Sequence, residues 1–313
     1  MPDLRIVLLG YGAVAAEHAR AFAAMGCPLV SVMGPTAESA REFAKVHRVA
    51  CSTVDLDEAI SAEADAVVIA SPNEVHADQA IAALEAGKHV LCEVPLALSS
   101  ADAERVAVVA ASVPASLMVC HTQRFNRPVA HLRRLVEEGR LDIQHIVTRT
   151  GLFRRRAIGW TGRPRSWTDS VLWHHGAHAV DTALWLLDDE VERVSAEIGR
   201  RHSETGLPMD IAIALRFRFG ALATHVLSYN SRLSIDDVLV VGEEETFRIE
   251  GGNLAGSKGP VIAGTVDVMD SIRTQDEAFV RAVTRGDSVK PTAEDVLPVY
   301  RVLQKVEDLV GAK

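Results

Sequence analysis

The stretch that most constrains this chain is its start. Residues 4–9, LRIVLL, form a nearly continuous apolar run. Gly10-Tyr11-Gly12-Ala13-Val14-Ala15 follows at once, and a helical pattern then continues through Met25. This is G-x-G-x-x-A set between a strand and a helix. The first glycine allows a tight turn, and the second lets a pyrophosphate approach the backbone. The alanine lets the helix lie close to the strand. The helix N-terminus adds open N–H groups and positive partial charge for phosphate oxygens. An isolated glycine motif is weak, but this context makes it a dinucleotide site rather than an ordinary strand–helix turn.

The same alternation continues for about a hundred residues. Strands are expected at 29–33, 50–53, 66–70, 89–92 and 116–120, and helices at 38–47, 57–62, 75–86 and 100–112. Alternating strands and helices build a parallel sheet covered on both faces, whose ligands bind beyond the carboxyl ends of the strands. Three loops therefore gather at one edge: residues 10–15, Ser71-Pro72-Asn73 through His76, and Glu93-Val94-Pro95. The second strand ends in Gly34-Pro35-Thr36 without the acid that usually binds ribose hydroxyls. That absence removes a repulsion against a 2′-phosphate, with Thr36 and Arg41 as its candidate donors. NADP is the expected cofactor and NAD the alternative.

Composition excludes other classes. Of 313 residues 48% are hydrophobic and 24% charged, as in a globular chain with a sizeable core, and the length suits two domains. The net charge of -9 argues against a nucleic-acid or membrane-surface protein, whose affinity rests on basic patches. No apolar run is long enough to span a bilayer, and the N-terminus lacks the pattern of a secretory leader. A cytoplasmic location is expected. Cys27, Cys51, Cys92 and Cys120 have no metal-like spacing, so reduced, mostly buried thiols are expected and no metal site.

Residues 165–181, RSWTDSVLWHHGAHAVD, are the densest concentration of reactive side chains in the chain. If helical from about Val171, His174, His178 and Asp181 share one face. A histidine or two on a helix is ordinarily a solvated face. Trp173, His174, His175 and His178 come too closely together for that.

The segments GYGAVAAEH, SPNEVHADQA, GKHVLCEVPLALS, HTQRFNRP and WHHGAHAVD, in this order, resemble the glucose–fructose oxidoreductase / inositol dehydrogenase family of NAD(P)-dependent oxidoreductases. The resemblance implies a Rossmann domain, taken as residues 1–121. A substrate-binding and oligomerisation domain, residues 122–313, would follow it. That second domain is α+β with a large open, mostly antiparallel sheet that mediates a homodimer or homotetramer, and it leaves the C-terminal helix able to pack back on the first domain. It also implies that Gly10, Gly12 and the Ser71–Asn73 loop contact the cofactor, with Glu93 beside the nicotinamide and His178 as the active-site histidine. The candidate cofactor-binding residues are then Gly10, Tyr11, Gly12, Ala13, Val14, Thr36, Ser71, Pro72, Asn73, His76, Glu93 and Arg124; His76 also reads as structural.

Two positions depart from the family pattern. Val94 stands where the family has lysine, and His174 where it has aspartate four residues before the histidine. In sugar-oxidising members that lysine and aspartate help to move the hydroxyl proton, and valine can do neither. The sugar or polyol reading is weakened, and a non-catalytic NAD(P)-binding protein becomes an alternative. The narrower run FRRR…RPRSWTD…LWHHGAHAVD resembles members that oxidise the cyclic hemiacetal of a ring-cleavage semialdehyde. Their product is a pyrone dicarboxylate, and hydride passes to NADP⁺. Another hydroxyl or hemiacetal substrate is the remaining enzyme reading.

A small anionic dicarboxylate calls for guanidinium donors, which bind carboxylates bidentately. Arg154, Arg155 and Arg156 run consecutively at the end of a strand expected over 145–156, so that Arg154 and Arg156 share one face. Arg124, Arg163 and Arg165 complete the set, and at least one of the consecutive three is expected to be solvated. Substrate-binding candidates are Arg124, Arg154, Arg156, Arg165, Trp173, His174 and His175. Oxidation needs a base for the hydroxyl proton while hydride leaves the same carbon, and neutral histidine suits it. The catalytic candidates are His178 as base, His174 as relay or carboxylate ligand, and Glu93. Asp181 or a backbone carbonyl fixes the tautomer of His178; the other reading of Asp181 is a group that caps or pairs within its helix. His175 is expected to point into the core, and Trp167 and Trp173 to be either pocket wall or core. Further strands are expected at 194–200, 209–219, 221–229, 237–242 and 246–250, the hairpin at Gly220 marking antiparallel pairing. Helices are expected at 274–284 and 293–310.

Overall fold

The computed structural model describes residues 4–154, 170–264 and 268–311. Two compact units make up the chain. The first takes in residues up to His121 together with Ile272–Leu297, and the second begins at Thr122.

The first unit opens with β1 (Ile6–Leu9), α1 (Ala13–Met25), β2 (Leu29–Met33), α2 (Ala37–His47), β3 (Cys51–Thr53) and α3 (Leu56–Ser61). It continues with β4 (Ala66–Ile69), α4 (His76–Glu85), β5 (His89–Cys92), α5 (Ser100–Ser112) and β6 (Leu117–Val119). All six strands are parallel, in the order β3-β2-β1-β4-β5-β6. The order reverses between β1 and β4, so the carboxyl ends of these two strands flank the crevice of a doubly wound sheet. Every side chain of β1 and β4 is buried. Each valine, leucine or isoleucine among them contributes about 1.5–3 kcal/mol through loss of water contact. Side-chain caps start three helices: Thr36 Oγ1 accepts from Ser39 N, Asp55 from Glu58 N, and Ser99 from Asp102 N. None of the four cysteines is in a disulfide, and Cys27, Cys92 and Cys120 are buried, as expected.

The second unit starts with α6 (Arg127–Glu137) and β7 (Ile143–Phe153), and a π-helical turn (Leu172–Gly176) leads into α7 (Ala177–Leu187). Then come β8 (Val191–Ile198), β9 (Asp210–Phe217), β10 (Leu222–Ser228), β11 (Asn230–Gly242), β12 (Thr246–Glu250), β13 (Asn253–Gly256) and β14 (Gly259–Ile262). The chain ends in α8 (Val268–Arg285), most of which belongs to the first unit, and α9 (Ala293–Gly311). The eight-stranded sheet has the order β14-β13-β12-β11-β7-β10-β9-β8. Only the β7–β10 pair is parallel. Ile211, Ile213, Leu215, Ala223, Leu227 and Ile146 line its buried face, and α7 packs over β7 and β10. Leu222, Val226 and Leu239 are exposed on alternate positions. No described helix is long and apolar enough to cross a membrane.

Most elements fall within one or two residues of their expected bounds, as cap and fray positions usually do. Several do not. β7 ends at Phe153, so strand alternation does not govern Arg154, and Arg155 and Arg156 lie outside the described residues. β11 begins at Asn230 rather than 237, because it pairs with β7 through a register shift that period-2 alternation does not display. β13 and β14 were not expected: they are short and rich in glycine. α8 begins six residues before its expected start, its early turns carrying buried Ser271, Gln275 and Asp276 that read as loop polarity. α6 was missed although Asn126 caps it, proline lies in its first turn, and Val129, Leu132 and Leu135 form its buried stripe.

Candidate functional site

In the first unit the β1–α1 turn has the shape that its glycines require. Gly10 has φ +117°, and a Cβ there would lie 2.2 Å from the carbonyl oxygen of Ala70. Its N–H donates to Met33 O at 2.9 Å, locking the turn onto β2. A Cβ on Gly12 would meet nothing within 4 Å. Gly12 is the N-cap of α1, no side chain caps that helix, and its first turn holds no acid. The first N–H groups of α1, at the positive end of the helix, are thus left without a side-chain cap. Beyond β4, Ser71 Oγ donates to Gln79 Oε1 at 2.6 Å and Pro72 leads into Asn73. The Nδ2 of Asn73 is buried with no partner among the described residues. A dinucleotide fits these features: uncapped helix N–H groups, room above Gly12 and an unmatched buried donor.

His76, fully buried, has Nδ1 2.8 Å from Pro95 O and Nε2 2.9 Å from Ser71 O. It joins the loop after β4 to the loop after β5, which contains the cis Val94–Pro95 bond and a buried Val94 side chain. Thr36 lies beyond β2 as the cap of α2. Its Oγ1 accepts from Ser39 N at 3.2 Å and lies 2.8 Å from Ser39 Oγ, a capping role that the sequence reading did not assign.

Glu93 follows β5 directly. Its Oε1 lies 3.0 Å from Nε2 of His18, whose Nδ1 lies 2.8 Å from Asp276 Oδ2. His18 and Asp276 are completely buried. Burial alone would depress the imidazole, but Asp276, by charge and hydrogen bond, and then Glu93 raise it to about 10. His18 was given no role from sequence, because a single histidine on the buried face of a helix reads as core. Cys120, beside Glu93, is pushed well up by burial and then by that carboxylate.

In the second unit the expected helix begins with a π turn, in which Gly176 N donates to Val171 O at 3.0 Å. Such insertions re-aim side chains and are frequent at functional sites. The rings of His174 and His175 lie 4.6 Å apart edge to face, and those of His174 and His178 5.8 Å apart. All three histidines are half-buried. Nδ1 of His175 meets Tyr229 OH at 3.0 Å. Burial, then His174, His178 and Arg154, hold the His175 imidazole well below the ordinary histidine range. The Arg154 guanidinium lies 5.3 Å above the Tyr229 ring, and Arg154 N donates to Tyr229 O at 2.9 Å. Tyr229 therefore gathers His175 and Arg154, and sequence reasoning missed it; the only signal was a rare tyrosine at the end of an expected strand.

Arg124 and Asp181 come together as a pair. Nε donates to Oδ2 at 3.0 Å and Nη2 to Oδ1 at 2.6 Å. Asp181 is thus the anchor of Arg124, where the sequence had offered it as the partner of His178 or a group within its own helix. Trp173 is core: its ring stacks on Tyr300 and its indole N–H donates to Glu307 at 3.0 Å. Arg156 and Arg165, with Arg163 and Trp167, lie outside the described residues.

Comparison with known proteins agrees with this architecture. Residues 4–121 match the model of the oxidoreductase family with an NAD-binding Rossmann fold, and residues 128–262 that of the C-terminal region of bacterial oxidoreductases. The chain is 36% identical over 309 residues to 4-carboxy-2-hydroxymuconate-6-semialdehyde dehydrogenase of a Sphingobium species, covering 97% of this chain and 98% of that protein. It is 27% identical to an inositol 2-dehydrogenase of Cereibacter sphaeroides, covering 93% and 89%. Levoglucosan dehydrogenase, solved in complex with NADH, shares the fold with a TM-score of 0.88 at 22% identity, over 99% of this chain and 97% of that one. From its nucleotide-binding turn to its antiparallel sheet, this chain belongs to the glucose–fructose oxidoreductase / inositol dehydrogenase family of NAD(P)-binding oxidoreductases.

Proposed function

We propose that this oxidoreductase acts on the cyclic hemiacetal of 4-carboxy-2-hydroxymuconate-6-semialdehyde and yields 2-pyrone-4,6-dicarboxylate. The observation that carries the reading is the cluster of His174, His175 and His178 beside Tyr229 and Arg154. It combines three imidazoles with one guanidinium, where sugar-oxidising relatives use aspartate and lysine. The 36% identity to the Sphingobium enzyme supports the same substrate. Buried Val94 leaves the loop after β5 without the lysine that a polyol oxidation uses.

The cofactor proposed is NADP⁺, held by the Gly10–Val14 turn, by Asn73 and by Thr36 with Arg41; when bound, it supplies the hydride acceptor. His178 takes the hydroxyl proton as the carbon–hydrogen bond breaks. His174 relays that proton or contacts a carboxylate, and His175, kept neutral by burial, adds a hydrogen bond without a competing charge. Arg154, together with Arg156 and Arg165, binds the carboxylates, while Arg124 orders α7 through Asp181. The exposed alternate positions of the eight-stranded sheet are proposed to pair copies of this chain as a homodimer or homotetramer. A cytoplasmic setting suits such catabolism.

The test is direct. NADP⁺ and freshly prepared semialdehyde are mixed with the protein, and absorbance at the reduced-nicotinamide band is followed. The expected result is turnover with NADP⁺ preferred to NAD⁺. Cofactor binding without turnover would sink the proposal, and full activity in His178→Ala would remove His178 as the base.

A further inference from the structure

The functional reading leaves one buried cluster unused. His18 lies on α1, Glu93 follows β5, Cys120 follows β6, and Asp276 lies on α8, all in the first unit. The ring of His18 has no exposure, yet each of its nitrogens faces a carboxylate oxygen, at 2.8 and 3.0 Å. An imidazole can satisfy two acceptors at once only by donating from both nitrogens, which is its protonated form. Ligand atoms of His18, Glu93 and Cys120 all lie within 4.8 Å of one another, as they would around a metal ion. The two facing carboxylates call instead for a proton on Nε2, at the position where a metal would bind. The titratable groups around the ring are Asp276, Glu93 and the Cys120 thiol, with Cys92 adjoining. Glu93 is the member that reaches solvent, its side chain being 17% exposed against 0% for His18 and Asp276. It does so at the carboxyl end of β5, the edge where this fold binds its ligand.

We infer that His18, anchored by Asp276, is a positioning residue that holds Glu93 as a fixed anion, and that this anion favours the oxidised, cationic nicotinamide over the reduced, neutral one. The inference rests on the reading that Glu93 borders the cofactor. Without the imidazolium the carboxylate keeps the Val94 N–H at 3.4 Å but loses its charged donor; it then takes up a proton more readily, and its discrimination between the two redox forms weakens. Burying an imidazolium is justified only by such paired carboxylates, and a hydrocarbon side chain would fill the same space more simply.

The test uses the full chain and measures dissociation constants for NADP⁺ and NADPH by calorimetry, with NMR of the His18 ring nitrogens. Both nitrogens are expected to be protonated at pH 8. Glu93→Gln and His18→Leu are each expected to lower the preference for the oxidised form about tenfold. The double variant is expected to shift no further than Glu93→Gln alone. His18→Gln, whose amide N–H can reach the position of Nε2, is expected to retain most of the preference. Should His18→Leu fail to fold, Asp276→Asn takes its place with the same expectation. A neutral His18 ring at pH 8, stoichiometric metal in the purified protein, or additive effects of the two substitutions would overturn the inference. So would a His18→Leu or Asp276→Asn ratio equal to wild type while Glu93→Gln shifts it. Cofactor binding without semialdehyde turnover fails the functional proposal alone and leaves these measurements decisive.

Discussion

The hydroxyl of Tyr229 lies 3.0 Å from Nδ1 of His175, with the two rings edge to face at 5.4 Å. Tyr229 is only 1% exposed, and the His175 imidazole is held well below the ordinary histidine range by burial and then by His174, His178 and Arg154. Tyr229→Phe keeps the ring and removes the hydroxyl, leaving His175 Nδ1 without that partner. The expected cost is about 1–3 kcal/mol of stability, read from urea unfolding. The reaction is expected to slow more than substrate binding weakens, because the imidazole cluster loses its orientation. An unchanged urea midpoint would show that the pair contributes nothing.

Arg124 and Asp181 make the opposite case to a guanidinium held for a ligand alone. Asp181 has no exposure, and both its oxygens accept from Arg124. Arg124→Ala removes the guanidinium from a buried carboxylate, a change of about 3–5 kcal/mol. Arg124→Lys, which cannot donate in a fork, is expected to recover only part of it. If Arg124 served substrate or cofactor alone, thermal unfolding of Arg124→Ala would match wild type.

His225 sets an acid limit on stability. Its ring is fully buried in β10, and neither nitrogen has a partner among the described residues. Burial, with the nearby His145 charge, lowers it to about 4 from the ordinary 6.5. Between those values the unfolded chain binds a proton that the folded chain refuses. Stability is therefore expected to fall as pH drops from 6.5 towards 4 and to level off below, by about 3 kcal/mol in all. His225→Leu is expected to abolish this component, and at neutral pH to be tolerated, since it replaces unpaired polar atoms by apolar ones. The check is the difference between wild-type and variant unfolding free energies across that range.

Gly10 and Gly12 are expected to fail differently. Gly10→Ala combines a left-handed φ of +117° with a Cβ 2.2 Å from Ala70 O, so it lowers thermal stability as well as cofactor affinity. Gly12 has φ -70° and open space about it. Gly12→Ala is therefore expected to unfold at the wild-type temperature while binding NADP⁺ at least tenfold more weakly, because its methyl occupies the phosphate approach. Equal calorimetric affinity in Gly12→Ala would move the phosphates elsewhere.

What the sequence determined by itself is whatever depends on neighbours along the chain. The βα alternation, the Gly10–Ala15 turn and the hairpin at Gly220 were legible because burial period, turn chemistry and helix starts act over a few residues. So was the histidine helix, though only as a regular helix. The π turn at Leu172–Gly176 is set by packing around it, and no period of three to four residues announces it. Tertiary structure alone decided the partnerships. His18 meets Asp276 across 258 positions, Arg124 meets Asp181 across 57, and Tyr229 meets His175 across 54. A buried polar group must find a partner, and which one it finds depends on how the helices of each unit close on its own sheet. That closure turned Asp181 from a candidate partner of His178 into the anchor of Arg124. It also turned an unassigned helix histidine into the residue that grips Glu93.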